Sequence, residues 1–288
     1  MTVINTNISA NIARDAIGRN DRAMATSMER LSTGLRINSA KDDAAGLAIA
    51  NRMAGQVSGL NMARRNANDA ISMVQTVEGA SKEIGNMLVR MRELAVQSAS
   101  GTYSSTDRSA LDLEFDALRS EITRIQSKTE WNGLALMNNA NPVDIQLGAS
   151  SGQTMTLTFA DWTVGDGNVY GTATKGTHAN AALTTIDALD IAASTTVAAD
   201  AIHTLDIAIN GVTAEQAKYG AYLSRLQYAS DNISNVATNL DQSRSRIQDA
   251  DYAVETTELA RTQIIAQAST AMLAQANQVK QTVLALLQ

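Results

Sequence analysis

The stretch Tyr222 to Val254, YLSRLQYASDNISNVATNLDQSRSRIQDADYAV, places Tyr222, Leu226, Ala229, Ile233, Val236, Leu240, Ile247, Ala250 and Val254 at steps of four and three, with only Ser243 interrupting the alternation. Apolar residues at that period form a heptad seam, which needs a facing helix. The chain then enters Thr262 to Val279, TQIIAQASTAMLAQANQV, which contains no charged side chain. Its spacing Ile265, Ala268, Met272, Ala276, Val279, Val283 and Leu286 is again helical. Gln, Ser, Thr and Asn interleave it too densely for a membrane span. Burial against other helices accounts for the missing charge, so the C-terminal end is expected to be an assembly surface.

Composition agrees with helix-on-helix packing. Aromatic residues make up 3% of the 288 positions against 44% apolar residues overall, so the core is expected to be built from Ala, Leu, Ile, Val and Met. Pro142 is the only proline, as long helices require. A net charge of −6 offers no basic field, and no Lys/Arg cluster interleaved with aromatics occurs, which excludes the usual nucleic-acid readers. The chain has no cysteine, hence no disulfide framework or thiolate chemistry. Met1 to Arg14 lacks the apolar core and cleavage site of a secretory signal, so export would use another route.

The N-terminal segment carries Ile4, Ile8, Ile12, Ile17, Met24, Met28, Leu31 and Leu35, mostly three, four or seven apart, which predicts an amphipathic helix. Gly34 and Asn38 predict its end, and Ser39 with Asp42 reads as a capping box opening a second helix. That second helix shows an unbroken stripe: Ala70, Met73, Val77, Ala80, Ile84, Met87, Met91 and Leu94. After the polar turn Gly101 to Thr106, Leu111, Phe115, Leu118, Ile122 and Ile125 define a third helix antiparallel to it. The pattern changes at Trp131. Val143, Ile145 and Leu147, then Met155, Leu157 and Phe159, alternate around a turn at Gly148 to Gly152, which predicts a β-hairpin. Asp161 to Thr177 is Gly/Thr-rich and aperiodic; helical spacing resumes at Ala198, Ile202, Leu205 and Ile209. The fold class is therefore mainly α, a long antiparallel helical bundle or coiled coil with a small β-hairpin region at about 131–180.

Reactive constellations are missing. His178 and His203 are far apart and belong to no His-Glu-x-x-His pattern, and neither a nucleophile elbow nor a phosphate loop is present. Asp42 and Asp43 are adjacent acids, but in a first helical turn they answer the macrodipole. The reading is no enzyme, with no catalytic, cofactor or metal residue.

Several long segments, taken together, resemble bacterial flagellin. Near the start these are Ile4-Asn5-Thr6-Asn7, LSTGLRINSAKDDAAG from Leu31 to Gly46, RNANDAIS from Arg65 to Ser72, and RELAVQ from Arg92 to Gln97. At the other end are SRSRIQDADY from Ser243 to Tyr252 and AQANQ from Ala274 to Gln278. With the helical pattern, the resemblance covers nearly everything except Asp161 to Thr177. It implies a secreted structural subunit of the extracellular flagellar filament, used for swimming. Residues 1–38 and 251–288 would pair as an inner terminal coiled-coil domain, and 39–250 would form an outer helical-rod domain with no large variable domain added. The filament interface is expected at Ile4, Ile8, Ile12, Ile265, Met272, Val279, Val283 and Leu286. The implied partners are further copies of the chain, an export chaperone, the filament cap and the hook-junction proteins, with neither nucleic acid nor membrane. The resemblance also implies a contact for a host's flagellin-sensing Toll-like receptor at Arg90, Leu94 and Glu114. Three alternatives stand beside it: a hook-filament junction protein, a flagellin carrying a metallopeptidase insert, which the missing His-Glu-x-x-His disfavours, and a soluble coiled-coil adaptor, which would carry charged terminal helices.

Overall fold

A computed structural model describes residues 7–138, 142–162 and 189–285. Five helices occur among them: α1 (Ile8–Thr33), α2 (Ala44–Ser98), α3 (Ser105–Lys128), α4 (Thr195–Gln248) and α5 (Tyr252–Ala285). Two antiparallel strand pairs lie between α3 and α4: β1 (Glu130–Trp131) with β2 (Leu134–Ala135), and β3 (Val143–Gln146) with β4 (Thr154–Leu157). The fold is mainly α with a small antiparallel β region, as the periodicity predicts. The chain divides into two compact units, Met1–Val57 with Thr238–Gln288, and Ser58–Ala237, so both dividing lines fall inside long helices, α2 and α4.

In the second unit, the α2 stripe becomes the core. Met73, Val77, Ile84, Met91 and Leu94 are buried, and Leu88 takes a fully buried place that the heptad reading assigns to Met87. Phe115 and Ile122 of α3 and Leu205, Tyr219 and Leu226 of α4 join the same cluster. Fully burying side chains of this kind contributes about 1.5–3 kcal/mol each. The β3–β4 hairpin pairs Val143 with Leu157 and Ile145 with Met155, the residues of the predicted alternation. It is tied to the helices through Asn66 Nδ2, which donates to the Gln146 carbonyl at 3.1 Å, and through a 2.9 Å contact between the Thr158 and Tyr222 hydroxyls.

In the first unit, the connectors at the two helix junctions clasp each other. Gly34 ends α1 in the left-handed region (φ 70°), with its N–H donating to the Arg30 carbonyl. The Arg36 N–H then donates to the Gln248 carbonyl at 2.7 Å, and the Ala250 N–H to the Gly34 carbonyl at 2.9 Å. Two sequence expectations change here. Asp42 closes a turn by accepting from the Asn38 and Ser39 N–H groups and the Ser39 hydroxyl, whereas the first turn of α2 is capped by Asp43, which accepts from the Gly46 N–H at 2.9 Å. The seam read through Ala250 to Val254 is interrupted: α4 stops at Gln248, Asp251 caps α5 by accepting from the Ala253 N–H, and Val254 is exposed.

Candidate assembly surface

Helices α1 and α5 run antiparallel, and their side chains define the register. Asn7 Nδ2 lies 3.4 Å from both the Ala276 carbonyl oxygen and Asn277 Oδ1. Asn20 Nδ2 donates to the Thr262 carbonyl at 2.8 Å, and the Arg30 guanidinium meets Glu255 Oε1 at 3.0 Å. The buried positions along this contact are small or polar: Ala10, Asn20 and Ser27 on α1; Glu255, Thr262 and Ser269 on α5.

The large apolar side chains divide: Ile17, Met24 and Leu31 of α1 and Leu259 and Leu273 of α5 are half-buried, and a second set is left open. Ile8 and Ile12 are 54% and 62% exposed, and Met28, Ile264 and Met272 are exposed to a similar degree, with Ile265 at the edge at 39%. The intramolecular pairing of α1 with α5 therefore leaves Ile264, Ile265 and Met272 of the uncharged stretch uncovered. Val279 and Val283 lie on the last turns of α5, while Ile4 and Leu286 fall outside the described residues. An uncharged helical stretch with exposed Ile and Met on a chain of net charge −6 is a surface that waits for other apolar surface. The sequence locates these residues but does not tell which of them face the partner helix, because the most buried positions are the polar ones.

The second unit holds Arg90, Leu94 and Glu114. Arg90 Nε donates to Glu114 Oε1 at 2.8 Å across α2 and α3, and its Nη1 to Glu93 at 2.9 Å. These two carboxylates, Glu114 first, hold the Arg90 guanidinium above its ordinary pKa. Arg90 and Glu114 stand about half exposed, but Leu94 is buried among Met91, Phe115 and their neighbours, so it presents no surface to a protein partner. The heptad position that makes Leu94 conspicuous in the sequence also turns it inward.

Nothing in the described residues brings together reactive groups. His203 is exposed on α4 and His178 falls outside the described residues. Among the described residues no cluster of three His, Cys, Asp or Glu side chains could hold a metal. A groove of about 300 Å³ beside α2 is lined by Asn66, Asp69, Trp131 and Asp144. No described helix is long and apolar enough to cross a membrane.

Residues 4–142 match the bacterial flagellin N-terminal helical region and residues 202–287 the bacterial flagellin C-terminal helical region. The chain is similar to a flagellin of Halalkalibacterium halodurans, 42% identical over 286 residues and 99% of both chains. It is also similar to a flagellin of Bacillus subtilis, 39% identical over 312 aligned residues and again 99% of both. A solved structure of a candidate flagellar hook-associated protein from Vibrio parahaemolyticus shares the fold, with a TM-score of 0.60 at 15% identity over 72% of this chain and 100% of that one. With both helical ends matched and relatives similar along their full length, the chain belongs to the bacterial flagellin family.

Proposed function

We propose that this chain is the structural subunit that polymerises into the bacterial flagellar filament, outside the cell, for swimming. The observation that carries the reading is the inverted pairing of α1 and α5, in which small and polar residues are buried while Ile8, Ile12, Met28, Ile264 and Met272 remain exposed. A helix pair made this way has its strongest contacts still to form, and in a homopolymer they form with other copies. Full-length similarity to flagellins supports the same conclusion, and no relative reported above favours a junction protein or an adaptor by its sequence. The domain roles follow. The terminal segments 1–38 and 251–288 would form the inner part of the filament and 39–250 the outer part. The interface is proposed at Ile4, Ile8, Ile12, Ile265, Met272, Val279, Val283 and Leu286. An export chaperone, a filament cap and hook-junction proteins are the further partners this function requires, and a structural role leaves no catalytic step to assign.

Electron microscopy of the purified protein after seeding with sheared filament fragments tests the reading. Long filaments are expected; discrete dimers or unpolymerised chains would defeat it.

A second reading rests on the exposed Arg90–Glu114 pair. It offers a host's flagellin-sensing Toll-like receptor one charged contact across α2 and α3, with Leu94 supporting the helix beneath.

A further inference from the structure

The most buried positions between α1 and α5 are polar and periodic, and they alternate with the half-buried Ile17, Met24 and Leu31 of α1 and Leu259 and Leu273 of α5. On α5, Glu255, Thr262 and Ser269 recur at steps of seven; on α1, Asn20 and Ser27 do the same. A seam of Leu and Ile would let two helices slide by a heptad, because every hole resembles the next. This one differs at each level. The Asn20 amide reaches one carbonyl, that of Thr262, inside the contact. Arg30 is held by Glu255, whose carboxyl is 10% exposed, and its Nε is buried with no other partner. Sliding by seven residues would take Asn20 away from Thr262, part Arg30 from Glu255, and leave the nearly buried Glu255 carboxylate without its cation, which is the costly arrangement for a charged group.

We infer that Asn20 and the Arg30–Glu255 pair are the register key of the terminal helix pair. They fix the axial offset at which the exposed stripe of α1 (Ile8, Ile12) and that of α5 (Ile265, Met272) are displayed together. The inference rests on the filament reading and deepens it, since a helical polymer needs every copy to present the same offset to the next. The polar positions of the seam contribute specificity, and the exposed Ile8, Ile12, Ile265 and Met272 stay available for neighbouring copies.

The chain has no cysteine, so two spin labels can be placed without background. Asp15→Cys and Gln267→Cys stand at exposed sites level with each other in the observed register, in which Asn20 meets Thr262 and Asn7 meets Ala276. Dipolar distance measurement on labelled chains diluted into unlabelled, seeded protein should give one narrow distance. In Asn20→Leu a second population is expected, displaced along the helix by about 10 Å, one heptad of rise. Glu255→Gln, which removes the charge facing Arg30, should produce the same second population. A single unchanged distance in both variants overturns the inference. So does loss of pairing altogether in either variant, because it would make these residues props of the helix and not its register. Circular dichroism monitors helicity throughout. Pelleting of the unlabelled parent is scored separately: a parent that never pellets defeats the filament reading, while the distances in the soluble chain still decide the register.

Discussion

Leu94 and Arg90 lie one turn apart on α2 and face opposite surroundings. Leu94→Ala opens a cavity in a packed cluster, so a loss of about 2–5 kcal/mol in urea unfolding is expected. Arg90→Ala should leave the unfolding midpoint nearly unchanged, since an exposed ion pair adds little, and should lower signalling in a receptor-reporter assay. A large loss of stability in Arg90→Ala, or unchanged signalling, would contradict this assignment. Tyr219 gives the pH dependence. Burial, and then the Glu215 carboxylate, push its phenol above the ordinary value. Below about pH 10 the phenol is neutral in both folded and unfolded chains; above it, only the unfolded chain ionises, so the native state loses stability as pH rises. Between pH 9 and 11 the urea midpoint of the parent should fall more steeply than that of Tyr219→Phe; equal slopes would show that Tyr219 ionises as freely folded as unfolded. Leu94 was visible in the sequence as a heptad residue. That Arg90 would pair with Glu114, 24 positions along the chain, follows from α2 and α3 packing side by side, which spacing alone does not resolve.

Among the elements, periodicity carried most of the fold. The stripes of α2 and α3 and the alternation of β3 and β4 were legible because their apolar residues are buried on one face. Three features were not read. The β1–β2 hairpin turns through Asn132 and Gly133, both at positive φ (49° and 80°), and the Asn-Gly dipeptide was its available signal. The break between α4 and α5 leaves the heptad count almost undisturbed, because the cap on Asp251 is made by local hydrogen bonds that spacing does not register. On α1 and α5 the apolar spacing identified real helices but only part of the buried face: Ile17, Met24 and Leu31 are half-buried, whereas Asn20, Ser27, Thr262 and Ser269 are the innermost positions and Ile8, Ile12, Ile265 and Met272 are exposed. In the lower part of α4, Ser230 and Ala237 are buried beside Ile233 while Val236 is 40% exposed, a milder form of the same substitution of small residues for large ones at a helix contact.

At the scale of the whole molecule, the exposed apolar residues of α1 and α5 and the polar seam between them make one design. The chain holds its ends together through specific contacts, and in the proposed filament the exposed Ile8, Ile12, Ile264 and Met272 would be covered by other copies. A contact of this type between unlike surfaces, repeated by every subunit, grows a helical polymer instead of closing a dimer. Met272 tests it because it is 65% exposed in the single chain, so a change there costs the fold of one copy little. Once covered by a neighbour, an aspartate at that place would be a buried, unpaired charge costing several kcal/mol per contact. Seeded sedimentation of Met272→Asp, with Met272→Leu as the apolar control and circular dichroism as the check on folding, is the decisive measurement. Met272→Leu should pellet like the parent and folded Met272→Asp should stay in the supernatant; normal pelleting of the folded aspartate variant would contradict assembly through this face.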